Sequence, residues 1–306
     1  MYAIKELIAK QQRFALTTHV PPDGDGIGAA VALAELLIGM GKQVEIVCDA
    51  PLPSRFAFLD VRGLYRQEWG EPDALIVLDT HNLSRIGRVA DLASRCPVAF
   101  IDHHPGLKGP LTLIDPEACS VGAMIYTLFK ECGYPLNLAA ANGIYTSIIC
   151  DTGRFSYSST SRKAHKLADE CIKIGVDPDE MHRRLFQQIP FSYFDLFGRA
   201  LQRTEKHGGV LIQTVLREDW EPAGIHPDDL DYLNEINKSV AGVECAVLLR
   251  ELEGGVVRLS FRTSAAVDAA ELARHFGGAG HDRAAGAHVE GPVDEVKGRI
   301  LALLKE

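Results

Sequence analysis

Short apolar runs at 14–18, 44–48, 74–78 and 97–101 punctuate the first third of the chain. Runs of that length, bounded by polar or turn-forming residues, suit buried strands rather than core helices. Between them the spacing turns helical, most clearly at 27–39. The long apolar stretch 28–40 is broken by Glu35 and reads as a buried helix. Strands alternating with helices predict a parallel α/β sheet. Further helices are predicted at 120–131 and at 138–150, the second ending near Asp151. Thr160 or Ser161 is placed to cap a helix that runs to Ile174 and stops at Gly175. Residues 179–206 read as mostly helical with mixed charge, a connector. The pattern changes after Gly208-Gly209. Residues 210–215, 246–249 and 256–261 read as strands, and Glu253-Gly254-Gly255 suggests a hairpin between the last two. Helices are predicted at 268–276 and 293–304. Neither an internal repeat nor a low-complexity segment is evident.

A length of 306 residues is enough for two ordinary domains. No apolar run approaches the roughly 20 residues of a membrane span, and residues 1–10 do not read as a signal peptide. The seven cysteines are odd in number, none forms a CxxC, and most sit in apolar surroundings. Reduced buried thiols in a cytoplasmic protein are the expectation, and a structural zinc site is not. The net charge of −9 comes with no basic stripe. A protein that tracks a long nucleic acid backbone normally carries one. Any nucleotide bound here is expected to be short and held by a few placed groups.

Four stretches carry the candidate chemistry: His19-Val20-Pro21-Pro22-Asp23-Gly24-Asp25, Val77-Leu78-Asp79-Thr80, Asp102-His103-His104 and Cys150-Asp151-Thr152-Gly153. The first three stand where an apolar run ends. In a parallel sheet, ligands bind outside the carboxyl ends of strands, so segments far apart in sequence converge there. Carboxylate oxygens suit hard divalent cations, and imidazole shifts the preference from Mg²⁺ toward Mn²⁺. Pro21, Pro22, Gly24 and Gly26 shape a sharp loop that can send Asp23 and Asp25 toward two different cations. Asp79, alone at its strand end, suits a bridging position, and His103 and Asp151 can complete a second site. A two-metal site points to hydrolysis of a phosphate ester or anhydride. A lone strand-end Asp is often only a cap, but four such stretches in order are hard to explain by capping.

Asp102-His103-His104 is the motif of the DHH phosphoesterase superfamily, which this chain resembles. His19-x3-Asp23-x-Asp25 resembles its first motif, Asp79-Thr80 with Arg85-Ile86-Gly87 its second, and Asp151-Thr152-Gly153-Arg154-Phe155 its fourth. Gly277-Gly278-Ala279-Gly280-His281 resembles the G-G-x-G-H signature of the associated DHHA1 domain. Length and spacing are similar to the compact oligoribonuclease and pAp phosphatase branch, the nanoRNases. The resemblance implies an α/β fold: a parallel-sheet DHH catalytic domain at 1–185, a helical linker at 186–206 and a smaller α/β DHHA1 domain at 207–306, with a cleft between the domains. It also implies a first cation on His19, Asp23 and Asp79, and a second on Asp25, Asp79, His103 and Asp151. His104 would touch the scissile phosphate rather than a cation.

The same resemblance implies Mn²⁺ as the cation pair, with Mg²⁺ or Co²⁺ as substitutes. Short RNA oligonucleotides, linear dinucleotides such as pApA and pGpG, and pAp are the implied substrates. A homodimer is compatible with it; a membrane or long double-stranded nucleic acid is not expected as a partner. Arg258, Ser260 and Arg262 alternate along a predicted strand and share one face. Arg262 is the expected phosphate fork. With His281, the glycines Gly277, Gly278 and Gly280 would let a phosphate approach backbone amides. His81, His165, His182, His207, His226, His275 and His288 show no ligand spacing. Competing readings are a cyclic dinucleotide phosphodiesterase, a family II inorganic pyrophosphatase, a single-strand DNA exonuclease and a nucleotide sensor without chemistry. Missing ligands would mark the last, and none is missing here.

Overall fold

The computed structural model describes residues 1–106, 109–222, 224–225, 230–264 and 266–304, without the side chains of Asp231, Glu235 and His281. The chain divides into two compact units, Met1–Gln188 and Ile189–Glu306.

Unit one is built on six parallel strands: β1 Arg13–Thr17, β2 Gln43–Val47, β3 Tyr65–Arg66, β4 Ala74–Leu78, β5 Val98–Asp102 and β6 Thr112–Ile114. Their order is β3-β2-β1-β4-β5-β6. All five residues of β4 are buried, as expected for a strand covered on both faces. Ala74, Ile76 and Leu78 point into the larger core, Leu75 and Val77 into a smaller one. The larger core is closed by α1 Tyr2–Lys10, α2 Gly24–Gly39, α3 Val121–Cys132, α4 Leu138–Asp151, α5 Arg162–Ile174 and α6 Pro178–Phe186. On the other face β4 and β5 are joined by short 3-10 turns, Leu83–Arg85 and Gly87–Ser94, rather than an α-helix. The helix starts obey capping chemistry. Ser120, Asn137, Ser161 and Asp177 each accept a backbone N–H with the side chain. Gly175 ends α5 at φ 118°.

Helix α2 is buried from Gly24 to Leu37 and crosses α4 at two glycines. A Cβ on Gly28 would lie 2.3 Å from the Gly143 carbonyl oxygen, and one on Gly143 2.5 Å from that of Gly28. Only the missing side chains let the two backbones touch. This crossing sets the depth of both helices, and each carries candidate ligands at one end.

Unit two holds a second six-stranded sheet: β7 Thr204–His207, β8 Val210–Val215, β9 Cys245–Glu251, β10 Val256–Thr263, β11 Ala279–His281 and β12 Ala284–Glu290. The order is β11-β12-β10-β9-β8-β7, with β8 and β9 parallel and the other pairs antiparallel. The hairpin expected between β9 and β10 is present, and Gly254 and Gly255 turn it at φ 72° and 74°. Strand β12 has no counterpart in the sequence reading. Helices α10 Ala269–Arg274 and α11 Val293–Leu303 cover one face. The other is covered by α7 Tyr193–Gln202, α8 Arg217–Trp220 and α9 Asp231–Lys238. Helix α7 lies in the stretch read as a linker and puts Tyr193, Leu196 and Ala200 into the core of this unit. Among the described residues no helix is long and apolar enough to cross a membrane.

Candidate metal centre

The strand order reverses between β1 and β4, and ligands of doubly wound sheets gather at such a switch point. Beyond β1 come Thr18 and His19, and Asp23 then caps α2 through its own carboxylate. Asp79 directly follows β4, and Asp102 ends β5 with His103 and His104 after it. Asp151 closes α4. Asp79 sits at φ 61°, a left-handed conformation that non-glycine residues avoid and that clusters at functional sites.

These side chains form three overlapping groups: His19, Asp23 and Asp79; Asp79, His103 and His104; Asp25, His103 and Asp151. Within each, the potential ligand atoms lie within 4.8 Å of one another. Nε2 of His19 is 3.5 Å from Asp23 Oδ2 and 3.3 Å from Asp79 Oδ2. Nε2 of His103 is 3.7 Å from Asp25 Oδ2, 3.8 Å from Asp79 Oδ1 and 3.7 Å from Asp151 Oδ2. The two oxygens of Asp79 therefore face different imidazoles. These separations are longer than most hydrogen bonds, and the potential ligand atoms converge on shared points.

Supporting contacts fix each side chain. His103 Nδ1 lies 3.2 Å from the Ala118 carbonyl. A donating Nδ1–H there leaves Nε2 as the coordinating atom. Asp25 is 1% exposed and accepts from the amides of Val121 at 2.9 and 3.0 Å and Gly122 at 3.3 Å, so it also caps α3. The Ser147 hydroxyl donates to the same carboxylate. Asp102 is fully buried and grips two histidines, His104 Nδ1 at 2.7 Å and His81 Nδ1 at 2.6 Å. Burial works against that anion, but His104 and then His81 hold its pKa well below the usual carboxylate range.

The electrostatics fit a site built for cations. Burial raises Asp25 and Asp79, and the neighbouring carboxylates push Asp79 further. Burial and Asp25 together raise Asp151 to about 8. Burial opposes charge on His19 and His103, yet Asp23 and Asp79 lift the first to about 10, and Asp25, Asp151 and Asp79 lift the second to about 9. Asp25, Asp79 and Asp151, crowded together beside the more exposed Asp23, need positive charge, and two imidazoles supply too little of it. Oxygen donors mixed with imidazole nitrogen suit divalent ions.

Residues 13–148 match the DHH family, N-terminal domain, and residues 207–306 match the DHHA1 domain. The bifunctional oligoribonuclease and PAP phosphatase NrnA of Thermus thermophilus is 34% identical over 296 residues, 95% of this chain and 89% of that one. The chain belongs to the DHH family, in the group of these proteins. A second DHH relative, the Bacillus subtilis protein of the same description, is 31% identical over 300 residues, 95% of this chain and 94% of its own. Among solved structures, an exopolyphosphatase-related protein from Bacteroides fragilis superposes with a TM-score of 0.90 at 25% identity, covering 99% of this chain and 96% of the other.

The DHHA1 residues form a different picture. Arg258, Ser260 and Arg262 do share a face of β10, but Ser260 is 4% exposed and accepts from the fully buried Arg250 on β9. Arg258 stands in register with Arg250 on one side and His288 on the other. Burial, and then Arg262, depress the pKa of Arg258; burial, Arg258 and Arg250 depress that of His288. The result is a cationic row across β9, β10 and β12. Neither Arg250 nor His288 was singled out from the sequence, because cross-strand register is invisible there.

The amide cradle needs correction. The amides of Gly277 and Gly278 already bond the carbonyls of Arg274 and Ala273 at the end of α10, so they are not open to a phosphate. Cβ atoms on Gly278 and Gly280 would strike β12, at 2.1 Å from Gly286 O and 2.4 Å from Ala285 Cα. These glycines let β11 press on β12. The backbone of His281 lies in β11, and its side chain lies outside the described residues. In the first unit, the sequence reading missed His81 and Ser147. His81 had a signal in its place two residues after Asp79. Ser147 had none, as its link to Asp25 spans 122 residues.

Proposed function

We propose that the chain is a two-metal phosphoesterase that hydrolyses short oligoribonucleotides, including pApA and pGpG, to mononucleotides, and pAp to AMP and phosphate. The observation that carries this reading is the carboxylate of Asp79, shared between two donor groups on opposite sides. The relatives from T. thermophilus and B. subtilis, both bifunctional oligoribonuclease and PAP phosphatase proteins, support it.

His19, Asp23 and Asp79 would hold one cation, and Asp25, Asp79, His103 and Asp151 the other. The nitrogen-oxygen donor mix favours Mn²⁺, with Mg²⁺ or Co²⁺ as substitutes. Such a pair supplies the charge that clamps the attacking and leaving oxygens of an in-line displacement and activates water at neutral pH. Asp79 fixes the spacing of the two sites from a strained, rigid backbone. His104, oriented through Nδ1 by Asp102, presents its other edge to a phosphoryl oxygen and stabilises the charge that develops there. Arg262 of the second unit is assigned a contact to the substrate, for which a guanidinium is suited.

The test is hydrolysis of pApA with Mn²⁺, run beside pAp and pyrophosphate, with Asp79→Ala as control. Rapid AMP release from pApA that disappears in the variant is the expected result. Turnover of pyrophosphate alone would overturn the reading and its assignments in the second unit.

A further inference from the structure

Many arginines of the first unit are matched to carboxylates: Arg13 to Asp73, Arg62 to Glu35, Arg88 to Asp49, Arg183 and Arg184 to Glu180. Arg55 and Arg154 are not. Both are exposed, and among the described residues neither makes an ion pair or a side-chain hydrogen bond. Each rests instead on a phenylalanine ring. The Arg55 guanidinium lies 4.9 Å from the Phe56 centroid, and that of Arg154 lies 5.2 Å from the Phe186 centroid. A guanidinium laid on a ring keeps its edge donors pointing outward.

Both arginines adjoin segments that carry candidate ligands. Gly24, between Asp23 and Asp25, packs on Phe56 and Cys150; a Cβ there would lie 3.3 Å from Phe56 Cε1 and 2.3 Å from Cys150 Sγ. Arg154 follows Asp151 by three residues, in a turn where Gly153, Arg154 and Phe155 all take left-handed conformations, φ 54°, 59° and 63°. Two residues with a Cβ in succession there are disfavoured, and specific bonds hold them. The amide of Arg154 donates to Ile149 O at 2.7 Å, and that of Phe155 to Thr152 Oγ1 at 3.1 Å. Arg184 lies over Phe58 at 5.2 Å, tying α6, which bears Phe186, to the 3-10 turn Ser54–Leu59 that bears Arg55.

The exposed Asp23 is within reach of His19 yet pairs with neither arginine. Two uncompensated guanidinium groups on an aromatic bed, beside a cluster of acids in a chain of net charge −9, are suited to an anion brought from outside. We propose that Arg55 and Arg154 bind the second phosphate of the substrate, the one that is not cleaved. They thereby select nucleotides with two phosphate groups over those with one. The proposal rests on the phosphoesterase reading above, and its chemistry is charge-assisted phosphate binding by guanidinium.

The experiment uses full-length protein with Arg55→Gln, Arg154→Gln and both together. These changes remove charge at exposed positions and retain much of each stem. Calorimetric titrations with pAp and with AMP, in Ca²⁺, report the preference for the second phosphate. The wild type is expected to prefer pAp by about tenfold or more, and the double variant to bind both alike. The slope of log Kd against log salt for pAp should fall by about one per arginine. In Mn²⁺, KM for pAp should rise about tenfold with kcat little changed. Turnover of bis(p-nitrophenyl) phosphate, which has a single phosphate, should stay as in the wild type. An unchanged pAp-to-AMP preference and salt slope overturn the proposal, as does an equal loss on both substrates. If the wild type hydrolyses neither pAp nor pApA, the functional reading falls, and the titrations still judge the arginines.

Discussion

One carboxylate, Asp79, faces His19 with Oδ2 at 3.3 Å and His103 with Oδ1 at 3.8 Å, from a backbone at φ 61°. Asp79→Asn keeps the shape and removes the charge. Its kcat on pApA is expected to fall at least about 10³-fold. A variant within tenfold of wild type, measured at saturating Mn²⁺, would remove Asp79 from the bridging position. Asp102 acts one layer out, through His104 and His81. Asp102→Asn should lower kcat by about 10–100-fold, the usual range for outer-shell partners. The same loss should appear in His81→Ala if His81 helps hold Asp102 in place. A wild-type rate in His81→Ala would reduce that histidine to packing against Gly106, whose Cβ would lie 2.3 Å from its Nε2.

At the scale of elements, the α2–α4 crossing carries Asp25 at one end and Asp151 at another. Gly143→Ala drives a methyl group toward the Gly28 carbonyl, and neither backbone can yield cheaply. Destabilisation of about 1–3 kcal/mol is expected, read as a lower urea midpoint with an unchanged slope, together with weaker cation binding. A midpoint equal to wild type would mean that the helices separate freely. Several elements were legible because local rules agree with the fold: apolar runs at β1, β2, β4 and β5, the Ser161 cap, and Gly175 at the end of α5. The candidate ligands were legible for the same reason, since strand ends announce themselves. What lay hidden depends on pairing. β12 carries Ala, Gly and His in its interior and is a strand by virtue of β10 and β11 on either side. Arg250 and His288 become neighbours of Arg258 only through register, and Ser147 meets Asp25 only once α4 is docked.

For the molecule as a whole, the crowded acids tie stability to pH and to cations. Asp151 is raised from 3.8 to about 8, so the folded state holds a proton that the unfolded chain has released. Where the native state binds more protons, stability falls as pH rises. His19, raised from 6.5 to about 10, acts in the same direction: its contribution is full below about pH 6.5 and is lost through pH 10. Asp102, held low, sets the acid limit, with stability lost as pH drops below its unfolded value of 3.8. Chelated protein is therefore expected to melt at a higher temperature at pH 5.5 than at pH 8.5. Added Mn²⁺ should raise the melting temperature most at the higher pH, releasing protons as it binds. Equal melting temperatures at the two pH values in chelator would show that the carboxylates relieve their crowding in another way.

The span of the ligand set, from His19 to Asp151, has a consequence for synthesis on the ribosome. All six β strands of the first sheet precede α4 in the chain and can pair before it docks. A chain at that stage exposes Asp25 and Asp79 but lacks Asp151 and the Ser147 hydroxyl that steadies Asp25. It cannot assemble the full centre until the last helices of its first unit have docked. Vectorial synthesis thus delays the complete candidate ligand set until that unit is nearly finished.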